Sequence, residues 1–150
     1  MDIEKKINES IKDSMKNKNK IRLDSLRAVK SAIMLEKTKS GSKGNLNEIT
    51  IIKILQKLVK QRNDSSQIYI QQNRDELAEI ETSQAKIISE FLPTQLSESD
   101  LSEIIDKVIK DTKSSSMKDM GKVISIVNNK VLGRAEGSLI ANIIKDKLST

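Results

Sequence analysis

Phe91-Leu92-Pro93-Thr94-Gln95-Leu96-Ser97-Glu98-Ser99-Asp100-Leu101 is the stretch on which the fold turns. Pro93 is the only proline in 150 residues. A proline pushes the preceding residue, here Leu92, out of the α region, so a helix running in from the left must stop near Phe91. Four residues on, Ser97 with Asp100 has the form of a helix start. One short segment therefore closes one helical array and opens another. The spacing predicts two lobes, residues 1–92 and 98–150, joined by a linker at 93–97.

Periodicity to either side supports helices throughout. Ile3, Ile7, Ile11 and Met15 recur every four residues, the stripe of an amphipathic helix. After the polar turn Lys16 to Lys20, residues Ile21, Leu26, Val29 and Ile33, with the stem of Lys37, mark a second helix. It is expected to stop before the Gly/Ser-rich loop Ser40 to Gly44. Asn45 with Glu48 reads as a capping box for a third helix carrying Ile49, Ile52, Leu55, Leu58 and Val59 to about Gln72. At 1.5 Å per residue that rod would measure roughly 40 Å. Asn73 suits the left-handed end of a helix and Asp75 the cap of a fourth, with Leu77, Ile80, Ile87, Ile88 and Phe91 inside. Beyond Pro93, three short helices are expected: one with Leu101, Ile104, Ile105, Val108 and Ile109; one capped by Ser115 or Ser116, with Met117, Met120, Val123, Ile124 and Val127; and one with Leu139, Ile140, Ile143, Ile144 and Leu148. Gly133 to Gly137 is the last turn. The fold class is all-α, four longer helices followed by a small three-helix bundle of a size that leans on a neighbour or partner.

Composition narrows the chemistry. Histidine and cysteine are both absent, which removes the commonest general base, the strongest nucleophile and the usual zinc ligands. Ser-x-x-Lys occurs at Ser40/Lys43, Ser83/Lys86 and Ser115/Lys118, as chance provides in a lysine-rich chain. The carboxylates Asp75, Glu76, Glu79, Glu81 and Glu90 suit a helix N-terminus without a metal. No catalytic residue, metal or cofactor is expected. No apolar run exceeds four residues (Ala32 to Leu35), and Met1 to Lys6 lacks the apolar core of a signal peptide, so cytoplasm is the expected compartment and no membrane the expected partner.

Charge is arranged in blocks. Residues 1–62 hold 16 Lys/Arg against 7 Asp/Glu, residues 63–106 hold 2 against 10, and residues 107–150 hold 9 against 4. Such segregation predicts surfaces that attract polyanions, unless the blocks neutralise one another. Lys118 and Lys122 are four apart on the expected sixth helix, and Lys130, Gly133 and Arg134 lead to the last helix, whose N-terminus at Gly137 and Ser138 favours an anion or a structural cap equally. Lys53, Lys57 and Lys60, with Arg62, form a second row whose like charges repel. Arg27 and Lys30 complete that second basic surface. With only Tyr69 and Phe91 as aromatics there is no base-stacking platform, so any nucleic-acid contact should follow backbone and shape.

Several runs resemble the YqeY family of GatB/YqeY-domain proteins. They are Leu26-Arg27 with Lys30-Ser31-Ala32, Lys60-Gln61-Arg62 with Asp64-Ser65, Arg74-Asp75 with Leu77-Ala78, Phe91 to Ser97, Met117-Lys118-Asp119-Met120-Gly121-Lys122-Val123, and Gly133-Arg134-Ala135-Glu136-Gly137. The resemblance implies a two-part helical module like the C-terminal part of the B subunit of aspartyl/glutamyl-tRNA amidotransferase, which contacts tRNA. Similar modules are appended to some glutaminyl-tRNA synthetases. It implies tRNA or another structured RNA as partner, with a synthetase or amidotransferase component nearby, and places RNA contact at Lys118, Lys122, Lys130, Gly133 and Arg134. The family's glutamine-dependent carbon–nitrogen ligase association belongs to the whole amidotransferase, whose catalytic core is not encoded in these residues. Glu136 stands where relatives often have Asp, the better cap. The alternative function is a protein–protein adaptor in translation whose acidic 63–106 segment recruits a basic partner without touching RNA.

Overall fold

The computed structural model describes residues 2–39, 41 and 46–149. Among these there are seven α-helices and no strand. The chain divides into two compact units, Met1–Leu92 and Pro93–Thr150.

In the first unit, α1 (Ile3–Lys16) starts at Asp2, whose carboxylate accepts the Lys5 N–H at 3.3 Å. Lys18, with φ 54°, turns the chain into α2 (Lys20–Lys39), where the Asn19 side chain accepts the Arg22 N–H. α3 (Glu48–Gln71) is capped by Asn47, which accepts both the backbone N–H and the hydroxyl of Thr50 at 2.8 Å. The expected cap Asn45 lies outside the described residues, as do Ser40 and residues 42–44 of the expected loop. At 24 residues α3 is about 36 Å long, shorter than the periodicity suggested. It ends through Asn73 at φ 60°, as its tolerance of the left-handed region predicts. Asp75 is not the cap of α4 (Asp75–Ser89): Arg74 holds that position without a side-chain bond. Asp75 is the first helical residue, where its charge still suits the helix dipole.

The core of this unit joins Ile3 and Ile7 of α1, Leu26, Val29 and Ile33 of α2, Ile51, Ile52 and Leu55 of α3, and Ile88 of α4. Met15, Ile21, Ile49 and Ile80, expected on inward stripes, are exposed. Serines occupy inner positions instead. Ser14, Ser25 and Ser66 are buried because each hydroxyl finds a carbonyl a turn back or across the helix pair: Ser10 O at 2.7 Å, Ile21 O at 2.8 Å and Ala78 O at 3.3 Å. Ser66, Ala78 and Ala85 let α3 and α4 approach closely along their length, a contact that large apolar residues could not have marked.

The second unit holds α5 (Glu98–Thr112), a 3-10 turn (Met117–Asp119), α6 (Met120–Val131) and α7 (Gly137–Leu148). Ser97 caps α5 as expected, accepting the Asp100 N–H at 3.1 Å. Replacing Ser97 with alanine is expected to lower the stability of this unit by about 1 kcal/mol, read from urea denaturation. With 15 residues α5 equals α4, so the contrast between long and short helices does not hold. Ser116 begins the 3-10 turn rather than α6, and neither serine caps a helix through its side chain; the Ser115 N–H instead donates to Asp119 Oδ2 at 3.0 Å. Leu101, Ile105, Val108, Val123, Val127, Val131, Ala135, Ile140, Ile144 and Leu148 make one aliphatic core without an aromatic residue.

Candidate nucleic-acid interface

The turn between α6 and α7 is built on two left-handed residues, Leu132 at φ 39° and Gly133 at φ 82°. Glycine bears the second without a Cβ clash. Gly133→Ala is therefore expected to cost about 1–2 kcal/mol, seen as a lower melting temperature, and to loosen the turn. This turn also receives the residues expected to be a linker. The Leu96 N–H donates to Arg134 O at 2.8 Å, and the Arg134 Nε–H donates to Thr94 O at 3.0 Å. Gln95 Nε2 donates to Gly133 O at 3.0 Å and to Pro93 O at 2.9 Å. Residues 93–96 are thus clasped to the second unit instead of hanging between two lobes.

Arg134 consequently has two faces. Its Nε holds the clasp, while its terminal nitrogens make no hydrogen bond or ion pair among the described residues and stand at an exposed position. Lys118, Lys122 and Lys130 are exposed and likewise carry no ion pair among the described residues. They are not gathered at one tip. Lys118 lies in the 3-10 turn, not on α6; Lys122 is in the first turn of α6 and Lys130 in its last. The axial rise from Lys122 to Lys130 is about 12 Å, and the two lie about 80° apart around the helix. Two of the cations therefore stand on α6, on directions about 80° apart, with Lys118 before the helix and Arg134 after it.

The N-terminus of α7 already faces a carboxylate of its own chain. Glu136 is the cap residue, makes no side-chain bond to the helix N–H groups, and accepts the Ser138 hydroxyl at 2.8 Å. A resident negative charge there competes with any incoming phosphate, so the exposed cations in and around α6 attract an anion better than this helix end does.

In the first unit the second basic surface divides. Arg27, Lys30, Lys53 and Lys57 are exposed, whereas Lys60 pairs with Asp64 at 3.2 Å and Arg62 donates to Gln84 Oε1 and Leu58 O at 3.1 and 3.3 Å. Arg22 with Glu90, 2.7 Å apart, also joins the basic and acidic blocks, so part of that segregation is neutralised inside the unit. Of the Ser-x-x-Lys pairs, Ser40/Lys43 lies outside the described residues, and no hydrogen bond joins serine to lysine in the others. No three carboxylates converge among the described residues. What this arrangement can do chemically is attract and hold a polyanion by charge. Sequence reasoning missed Thr94, Gln95 and the anchoring half of Arg134; the one available signal was their position inside two ordered motif runs.

Residues 4–148, nearly the whole chain, match the family model described as Yqey-like protein. The chain belongs to the YqeY family. Two fungal proteins are similar to this YqeY-family chain over part of its length. The Clavispora lusitaniae protein named altered inheritance of mitochondria protein 41, mitochondrial, is 35% identical over 82 residues, 55% of this chain and 46% of its own. The Candida glabrata protein of the same name is 27% identical over 86 residues, 57% of this chain and 47% of its own. The matched part is therefore about half the length of these curated relatives. No described helix of the YqeY-family chain is long and apolar enough to cross a membrane.

Proposed function

We propose that this chain is a non-catalytic tRNA-binding accessory module, working beside tRNA-dependent amidation or aminoacylation. The observation that carries the reading is the group of exposed cations in and around α6, Lys118, Lys122, Lys130 and Arg134, which among the described residues have no carboxylate to neutralise them. Lysines held in water without partners keep their full attraction for phosphates, which supply most of the affinity in sequence-independent RNA binding. The family's likeness to the tRNA-contacting module of the amidotransferase B subunit supports tRNA over other polyanions. The lack of histidine and cysteine supports a binding role over catalysis. Glutaminase turnover by the purified chain would remove the non-catalytic part of this reading.

The test is retention of unmodified tRNA by the purified chain at 50 and 200 mM salt, by filter binding or anisotropy. Binding at low salt that weakens at least tenfold at the higher salt supports the proposal. Absence of binding at 50 mM, with protein partners surviving nuclease treatment in a pull-down, replaces it with the adaptor reading. We place the activity in the cytoplasm; the fungal relatives are by name mitochondrial, and fractionation distinguishes the two compartments.

A further inference from the structure

α2 and α3 leave a groove of about 270 Å³ between them, lined by Ala32, Leu35, Glu36 and Lys39 of α2 and by Ile54, Lys57, Leu58 and Gln61 of α3. On each helix the lining positions follow the same spacing, i, i+3, i+4 and i+7, so two parallel ridges run about two turns, or roughly 10 Å. Its apolar part is Ala32, Leu35, Ile54 and Leu58. Leu35 is 68% exposed, an unusual state for a leucine beside a concave apolar wall. The charged lining is Lys39 and Lys57 against one carboxylate, Glu36, and exposed Lys53 lies one helical turn before Lys57, so the balance of charge at the groove is basic.

We propose that this groove docks an amphipathic helix of a protein partner with leucine-like residues on its inner face and carboxylates along its flanks. The apolar walls call for a helix face inserted between the ridges, the mode in which i, i+3, i+4 and i+7 anchors fill a groove. The basic rim chooses acidic flanks, because like charges at the edge of an apolar site repel the wrong partner. It also gives the Lys53/Lys57 row a use that outweighs its self-repulsion. RNA is the poorer occupant, since phosphates leave Leu35, Ile54 and Leu58 in water. A bilayer surface is too flat to reach between the ridges. The larger hollow between α3 and α4 does not compete: the Ser66 and Thr82 hydroxyls that line it already bond each other at 3.0 Å.

The probe is a fluorescein-labelled model helix with leucines at i, i+3, i+4 and i+7 and glutamates on both flanks, titrated by anisotropy with the full chain. Leu35→Asp is expected to weaken binding at least tenfold, and Lys39→Glu/Lys57→Glu to do the same. Arg27→Glu/Lys30→Glu, which reverses two charges on another face of α2, is expected to stay within threefold. Leu35 is exposed, so its variant should keep the parental circular-dichroism melt; Leu35→Ser serves as a milder second variant if it does not. Equal binding of a probe with serines in place of leucines overturns the proposal, as does equal loss in the Arg27/Lys30 control or no binding by any probe. Displacement of the probe by tRNA with equal sensitivity to Leu35→Asp would assign the groove to RNA instead and likewise overturn it. Retention of tRNA by Leu35→Asp at wild-type strength keeps this outcome separate from that of the RNA proposal.

Discussion

Alanine at Lys118, Lys122 and Lys130 together is expected to lower the affinity for tRNA about 100-fold at 50 mM salt. A lysine brought to a strongly anionic surface contributes about 1 kcal/mol. Three give about 3 kcal/mol, two orders of magnitude in a dissociation constant. The same change should flatten the plot of log affinity against log salt by about 2 to 3, because three phosphate contacts no longer release their counterions. All three side chains are exposed and without ion pairs among the described residues, so the thermal melt should not move. Arg134 is left out of the triple variant because its Nε holds Thr94 O, and its loss would mix charge with structure. Alanine at Lys12, Lys16 and Lys20, three exposed lysines of the first unit outside both candidate surfaces, is the charge-matched control. An equal fall in both proteins would mean that tRNA responds to net charge alone, and Lys118, Lys122 and Lys130 would lose their assignment.

What could be read before the structure, and what could not, divides along a physical line. Local backbone chemistry was legible. Pro93 ends one helical array, Ser97 caps α5, and Asn73 takes φ 60° where the third helix stops. These depend on one or two residues and their own peptide units. Family and helical class followed from ordered motif runs and 3.6-residue periodicity, and both stand. Errors arose where inward and outward faces are decided by a neighbour. Met15 and Ile80 fit their stripes yet are exposed, while Ser14 and Ser66 are buried because carbonyls lie within reach of their hydroxyls. Hydropathy cannot register a hydroxyl that has found its partner.

The candidate interface shows the same limit. Spacing identified Lys118 and Lys122 as neighbours but could not see that a 3-10 turn carries the first and α6 the second. Nor could it separate Lys60, paired with Asp64, from Lys53 and Lys57, which are exposed seven and three residues earlier on the same helix. Arg134 was chosen for its charge. Its directional role, accepting from the Leu96 N–H and donating to Thr94 O, depends on contacts 38 and 40 residues apart in sequence, which periodicity does not contain.

Leu101→Ala is expected to unfold the second unit while leaving the first intact. Leu101 is wholly buried in an aliphatic core of ten residues. Truncating such a leucine removes about 2–5 kcal/mol, part from lost transfer out of water and part from the cavity left behind. A unit of this size, with no cysteine to form a disulfide, rarely holds more than about 3–5 kcal/mol in total. The loss is therefore comparable with everything that keeps α5, α6 and α7 together. Hydrogen exchange read by mass spectrometry should show amides of residues 98–148 losing protection, with those of α1 to α4 unchanged. Leu132→Ala, which shortens an exposed leucine at the neighbouring turn, should change little by comparison. Retained protection in Leu101→Ala would mean that the second unit draws stability from beyond its own core. Loss of protection across both units would mean that the chain unfolds as one cooperative body. If only the second unit opens, tRNA retention should fall with it, because the fold of this unit is what positions Lys118, Lys122, Lys130 and Arg134.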